Sequence, residues 1–423
     1  MLDPKFVREH IDIVKKAIAD KGEKADLGPF LELDARRREI LQRVEALKAQ
    51  RNTVSDQIAQ LKKAKSPDAD ARIAEMREVG DKIKAFDEEL RGVEEKLSEA
   101  TLSLPNIPDP AVPVGASEKD NVVDRVAGDE KKFGFAPKPH WEIGEQLGII
   151  DFERGVKLSG TRFYVLKELG ARLQRALIAW MLDVHTREHG YREVYPPYIV
   201  NHHCLVGTGQ LPKFADNLYH DAEEDFWLIP TAEVPVINLY RGEVIEGAAL
   251  PVKHVAYTPC FRREKMSAGK DVRGIKRGHQ FDKVEMVKFC LPERSAAELD
   301  ALVADACEIL ARLGLRYRVV QLCTADLTFA SARTYDIEVW APGCNEWLEV
   351  SSCSNCGEFQ SRRANIKFRR DAKAKPEYVH ALNGSGLALP RTLIAVLENF
   401  QNADGSVTIP DVLRPFMGTD VIK

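Results

Sequence analysis

Between residues 33 and 100 apolar side chains recur at alternating steps of four and three. Ile40, Val44, Leu47, Val54, Ile58 and Leu61 keep that spacing once Arg51 is counted as filling one seam position. After a break at Ser66-Pro67-Asp68 the pattern resumes through Ile73, Met76, Ile83, Phe86, Leu90, Val93 and Leu97. One narrow apolar stripe per helix predicts two helices of about 30 residues, folded into an antiparallel coiled-coil hairpin that projects roughly 45 Å. Pro67 belongs at the tip, where it interrupts no helix interior.

Residues 101–140 are proline-rich without periodicity (LPNIPDPAVPVG, then FAPKPHW) and predict a linker. Beyond it, helical stretches alternate with short strands. Ala171–His189 has the spacing of a buried helix and stops at Gly190. Tyr191–Val200 is β-branched and aromatic, and Pro196-Pro197 restrict it to a sheet edge or a strand end. Val252–Glu264 and Phe281–Leu291 read as strands around a 16-residue loop, KMSAGKDVRGIKRGHQ. That loop carries Lys265, Lys270, Arg273, Lys276, Arg277 and three glycines, a composition suited to a polyphosphate.

Period-two alternation puts Arg262 and Glu264 on one face of the first strand and Arg263 on the other. It puts Phe281, Lys283 and Glu285 together on one face of the second. A face presenting Arg262 and Glu285 offers a cation to a phosphate or carboxylate and an anion to an ammonium. A plain surface ion pair accounts for the same two residues, and the hairpin alone does not decide. Three further segments lean toward a site. Thr231-Ala232-Glu233 follows the strand-like FWLIP, and Glu349-Val350-Ser351-Ser352 ends another strand. Asn383-Gly384-Ser385-Gly386 leads through Pro390 to Arg391 and the helix RTLIAVLENF. Arginine in a helix's first turn opposes the helix dipole unless an anion is held there.

Composition narrows the class. With 423 residues, 44% hydrophobic and 30% charged, the chain suits two or three soluble domains. The segment MLDPKFVREH lacks the apolar run of a secretory signal, and no stretch approaches about 18 uninterrupted apolar residues. Eight cysteines, spread over residues 204–356, do not read as a disulfide framework, so a cytoplasmic address is expected. Cys353-x-x-Cys356, with Cys344 nearby, lacks a second pair at finger-like spacing, so ordinary thiols rather than zinc are expected, and His202-His203 reads as loop surface. A net charge of −4 requires any nucleic-acid partner to find a local basic face. The first hairpin helix supplies one, with nine Lys/Arg against four Asp/Glu over residues 33–65. Residues 68–100 carry six against eleven, so mutual attraction of the helices accounts for the pattern equally well.

Together these residues resemble the signature of bacterial-type seryl-tRNA synthetases, a class II aminoacyl-tRNA synthetase family, over essentially the whole chain. Residues 171–197, 257–285 and 384–401 resemble motifs 1, 2 and 3. The TAE triplet and the run EVSSCSN followed by FQSRRANI are the most specific marks. The resemblance implies an α+β fold, with a class II antiparallel sheet flanked by helices and a coiled-coil arm (about 33–100). It implies an N-terminal tRNA-binding domain (1–110) and a catalytic domain (111–423). The implied activity joins L-serine to tRNA(Ser) through a seryl-adenylate, with ATP and Mg²⁺, and serves tRNA(Sec) where present. A homodimer with tRNA bound across subunits is implied through motif 1, and no membrane partner.

Carried over by residue, the resemblance makes Arg262, Arg391 and Glu349 catalytic. Serine would be bound by Thr231, Ala232, Glu233, Arg262, Glu285, Asn383 and Ser385. ATP would be bound by Arg262, Arg263, Glu264, Arg277, Gly278, Phe281, Glu349, Val350, Ser351, Ser352 and Arg391, and Mg²⁺ by Glu349 and Ser352. The chain departs from the family where Arg263 replaces a small residue, where Gly278 replaces a branched apolar one, and at Pro390 beside Arg391. Glu349 and Ser352 are three apart, so an ideal strand points them to opposite faces and a bulge or strand end must intervene. A carrier-protein-loading paralogue would lack the long arm. A non-catalytic scaffold does not explain competent residue types at every implied position, and TAE with SSCSN disfavours an enzyme for threonine.

Overall fold

The computed structural model describes residues 1–265 and 273–423. The chain forms two compact units, one comprising residues 2–19 and 23–105, the other Met1, residues 20–22 and residues 106–423.

In the first unit two short helices, α1 (Pro4–Glu9) and α2 (Ile11–Asp20), precede the hairpin of α3 (Gly28–Lys63) and α4 (Asp68–Leu102). The hairpin helices have 36 and 35 residues, longer than the apolar stripe alone implied, so each runs roughly 50 Å. Ile40, Val44 and Val54 of one stripe and Ile83 and Leu97 of the other are buried, as is Val79 of α4, which the stripe did not include. Pro67 caps the N-terminus of α4 at the tip, as its chemistry requires. Opposite charge does hold the helices together near the base, where Arg36 meets Glu89 at 2.5 Å and Arg37 meets Glu94 at 2.9 Å. Buried Asp34 accepts from Arg8 of α1 and from Arg38 at 3.1–3.2 Å, which fastens α1 to the root of the arm. Further out, Arg51, Lys62, Lys63 and Lys65 are exposed and make no ion pair among the described residues.

In the second unit, eight strands among the described residues form one sheet: β1 (Val122–Ala127), β2 (Arg192–Glu193), β3 (Val252–Phe261), β4 (Gln280–Cys290), β5 (Tyr317–Gln321), β6 (Arg333–Ala341), β7 (Glu346–Asn355) and β8 (His380–Ala388). Their order is β1-β5-β6-β7-β8-β4-β3-β2. Every neighbouring pair is antiparallel except β2 with β3. The expected strand over Tyr191–Val200 is interrupted at its two prolines. Only Arg192–Glu193 joins the sheet, at its edge, while Ile199–Val200 pairs with a separate short strand.

One sheet face carries the core. α6 (Glu168–Arg187), α8 (Ser295–Arg312) and α10 (Leu389–Asn399) press Leu173, Leu177, Met181, Leu302, Ile309, Leu393 and Val396 onto Val255, Val284, Met286, Ile337 and Val339. The residues alternating with those on β4, β6 and β7 face the other way, and several of them are polar. Two bulges tune that alternation. Between β6 and β7, Ser351 pairs with Ile337 but Glu349 with Glu338, which leaves Val350 as the extra residue. Glu349 and Ser352 thereby share a face. On β8 the register slips at Gly386, whose carbonyl pairs with buried His185 of α6 at 2.9 Å.

Candidate functional site

The polar sheet face lines a cavity of about 1070 Å³. Its inner end is built from register. β8 sets Ser385 opposite Glu285 and Asn383 opposite Val287 of β4, while Asn383 also faces Ser354 of β7. α7 (Glu233–Asn238) starts directly after Thr231-Ala232 and delivers Glu233 to the same place. Glu285 is 2% exposed and lies against the Lys283 ammonium, which also donates to Thr231 Oγ1 at 2.9 Å. Glu285 Oε2 is the oxygen that meets the Lys283 ammonium, in a contact without the geometry of an aligned hydrogen bond. Glu233 Oε1 accepts from Gln360 at 2.5 Å and Asn383 at 3.2 Å. Burial, and then repulsion from Glu285, push the Glu233 carboxyl up to about 7.

The outer end is cationic on one wall and acidic on another. Arg262 donates its backbone N–H to His279 O and its Nε to Pro230 O, and its guanidinium lies 5.1 Å from the centre of the Phe281 ring. Arg277 reaches Glu264 at 3.4 Å. Arg391, in the first turn of α10, donates to Glu349 O at 2.6 Å and to Lys276 O at 3.4 Å. The same lining holds Asp336, Glu338, Glu349 and Ser352, with the Glu349 carboxylate 3.4 Å from Arg391. Asp336 Oδ1 is buried without a hydrogen-bond partner among the described residues, and burial together with Glu349 raises its carboxyl well above the ordinary range. Oxygen ligands with an unsatisfied buried acceptor suit a hard divalent cation.

Of the expected site residues, Thr231, Glu233, Arg262, Glu264, Arg277, Gly278, Phe281, Glu285, Glu349, Val350, Ser352, Asn383, Ser385 and Arg391 line this cavity. Ala232, Arg263 and Ser351 lie outside its lining. Ala232 is fully buried at the helix start, Arg263 is turned away with its N–H on Asn217 O, and Ser351 donates to Ser385 O at 2.7 Å from the core side. The first strand ends at Phe261, three residues earlier than alternation implied, and Glu264 has a left-handed φ of 50°. Arg262 and Glu264 therefore reach the cavity from a turn rather than from one strand face. Lys270 lies outside the described residues. A Cβ at Gly278 would stand 2.9 Å from Gln280 O and 3.3 Å from Arg162 O, so the backbone here is drawn in around a glycine.

Lys283, Gln360, Asp336 and Glu338 are cavity or support residues that the motifs did not assign. Asp336 and Glu338 were legible as polar positions alternating with Ile337 and Val339. Gln360 is fully buried yet sits in a short helix, α9 (Phe359–Ala364), where no spacing rule marks it. The loop's return limb depends on Gly274, whose φ is 77° and whose Cβ would overlap the His140 ring. Gly274→Ala is expected to cost about 2–4 kcal/mol, read as a fall in Tm of about 5 °C or more. A melting curve within 1 °C or so of the parent would contradict that packing.

Comparison with known proteins follows the same division of the chain. Residues 1–108 match the family model of the seryl-tRNA synthetase N-terminal domain, and residues 214–400 that of the tRNA synthetase class II core domain (G, H, P, S and T). A serine–tRNA ligase of Dehalococcoides mccartyi is 59% identical over 423 residues, all of both chains. One from Roseiflexus castenholzii is 60% identical over 425 residues and is likewise covered in full. Among solved structures, the seryl-tRNA synthetase of Pyrococcus horikoshii complexed with ATP superposes with a TM-score of 0.93 at 37% identity, covering 100% of this chain and 99% of that one.

Proposed function

This chain belongs to the seryl-tRNA synthetase family, whose serine–tRNA ligase activity it shares, and we propose that the cavity on its sheet face is where serine and ATP react. The observation that carries the reading is one cavity lined by Arg262 and by Glu285 and Glu233, with Arg262 and Glu285 both within electrostatic reach of Glu233, a cation for the carboxylate and α-phosphate and two anions for the ammonium. Serine enters the inner end, its ammonium on Glu285 and Glu233 and its hydroxyl among Thr231, Asn383 and Ser385. ATP lies across Phe281, with Arg391 on the far side of the nucleotide, Glu264 toward the adenine amino group and Arg277 toward the outer phosphates. A serine carboxylate oxygen attacks the α-phosphorus, pyrophosphate leaves, and seryl-adenylate forms. Arg262 and Arg391 neutralise charge without forming a covalent link, so positioning supplies the catalysis. A ribose hydroxyl of the tRNA's terminal adenosine then attacks the seryl carbonyl, and AMP leaves. Glu349 and Ser352, with Asp336 beside them, would hold Mg²⁺, which when bound offsets phosphate charge.

Serine should support ATP–pyrophosphate exchange with no tRNA present. Exchange that appeared only on adding tRNA would sink a preformed adenylate.

The Glu233 environment adds a pH dependence. Below about 7 the free enzyme holds this carboxyl neutral, so it attracts the substrate ammonium poorly; above that it is ionised. kcat/KM for serine is therefore expected to rise through pH 6–8, with its midpoint near 7, and to level off above. Glu233→Gln should flatten the rise and lower the plateau. A parent profile that is flat from pH 6 to 8 would remove Glu233 from the ammonium site.

Residues 1–110 are read as the tRNA-binding domain and 111–423 as the catalytic one. tRNA(Ser), and tRNA(Sec) where present, would lie along the basic edge of α3. A cytoplasmic homodimer fits the motif 1 helix, and no helix of the described residues is long and apolar enough to cross a membrane.

A further inference from the structure

Outside the cavity, three side chains with metal-binding chemistry converge: His140, Cys344 and Glu398, their donor atoms within 4.8 Å of one another. These groups are already hydrogen-bonded to one another and to the backbone. The Glu398 carboxylate, wholly buried near the end of α10, accepts from the backbone N and ring Nδ1 of His140 at 2.9 Å each. It also accepts from the N–H groups of Gly343 and Cys344 at 2.9 and 3.0 Å, and from the Cys344 thiol at 3.0 Å. Since Nδ1 donates, the other ring nitrogen is an acceptor, and it receives the N–H of Ile275 at 3.2 Å. A hydrogen-bond relay, rather than an ion, fills this cluster.

The relay has a direction. His140 opens α5 (His140–Gln146), and Ile275 belongs to the return limb of the basic loop, directly before Lys276, Arg277 and Gly278 of the cavity wall. Arg391 and Glu398 are seven residues apart on α10, two turns, and therefore share one helix face. From that face Arg391 reaches Lys276 O directly, and Glu398 reaches Ile275 N–H through His140. Consecutive loop residues are thus gripped by one helix at two points. Gly274 is the residue that lets the loop close on the imidazole, and Arg273 lies 4.8 Å from the centre of the Trp141 ring beside it.

We propose that His140 is a positioning residue for amino-acid activation, fixing residues 274–278 of the basic loop to α10 so that Arg277 and Arg391 meet ATP in one geometry. This rests on the reading that both arginines contact ATP. Neither of the bonds His140 makes touches the serine end of the cavity, so the relay bears on nucleotide binding rather than on amino-acid choice.

Two substitutions separate the ring's two bonds. His140→Asn places an amide where Nδ1 was, keeping the donor to Glu398 and losing the acceptor for Ile275. His140→Gln places its amide oxygen where Nε2 was and restores that acceptor. In serine-dependent exchange, His140→Asn is expected to raise KM for ATP about three- to tenfold, the size of one lost hydrogen bond, with KM for serine within about twofold of the parent. His140→Gln should return KM for ATP toward the parent value. Cys344→Ser, which leaves both His140 bonds in place, should leave it unchanged. An unchanged KM for ATP in His140→Asn, an equal rise for serine and ATP, or a rise of the same size in Cys344→Ser would each overturn the proposal. A parent chain without serine-dependent exchange would instead overturn the reading on which it rests.

Discussion

Glu285→Ala is expected to lower kcat/KM for serine in ATP–pyrophosphate exchange by about 10³-fold, the order set by removing one partner of a buried charge pair. The carboxylate is 2% exposed, faces Ser385 across the β4–β8 ladder, and has Lys283 as its ion-pair partner. A serine ammonium held as proposed would share this carboxylate with Lys283. Truncation removes that contact and also leaves Lys283 with Thr231 Oγ1 as its partner in a buried setting, so stability falls as well. The two effects separate in the pair Lys283→Met with Glu285→Gln, which deletes both charges. Stability should recover there, because no buried charge is stranded, while serine activation stays low. Near-normal exchange in Glu285→Ala would show that the ammonium is held elsewhere.

Deleting residues 36–97 and closing the stub with a short flexible turn is expected to leave serine-dependent exchange within about threefold of the parent and to lower tRNA(Ser) charging at least about 10²-fold. The arm belongs to a unit that is compact by itself, and the cavity residues all belong to the other. Near the root of the arm the basic residues of α3 are engaged by acids of α3 and α4, whereas Arg51, Lys62, Lys63 and Lys65 make no ion pair among the described residues. Those distal cations are the ones left to neutralise phosphates. Removing one should reduce the slope of log affinity against log salt by about one. Charging that survived the deletion would mean that the arm is not the tRNA clamp.

How far the sequence reached depended on whether a local rule governed the residue. The hairpin was readable almost in full, because heptad spacing reports directly on a neighbouring helix and Pro67 tolerates few positions. α1 and α2 carry no such signal, being short helices ahead of any sustained repeat. On β4, alternation placed Phe281, Lys283 and Glu285 on the cavity side without help. Past Phe261 the same rule had no strand to act on. Glu264 arrives at the cavity through a left-handed turn, which period-two reasoning does not describe. The spacing of Glu349 and Ser352 required a bulge, and Val350 provides it. The slip at Gly386 carried no such pairwise signal. The partners that set charge and geometry were illegible for a different reason. Gln360 reaches Glu233 across 127 residues and Glu398 reaches His140 across 258, contacts that only the folded sheet creates.

The most direct measurement is ATP–pyrophosphate exchange with each of the twenty amino acids, run on the parent chain without tRNA. Serine should give the strongest exchange. Alanine should fall far below it, because a pocket built to bond a hydroxyl strands its own polar groups without one. Threonine should also fall below serine, though less sharply, since an added methyl is the weaker discriminator. Strongest exchange with any amino acid other than serine would contradict the assignment of Arg262, Glu285 and Glu233 to a serine site.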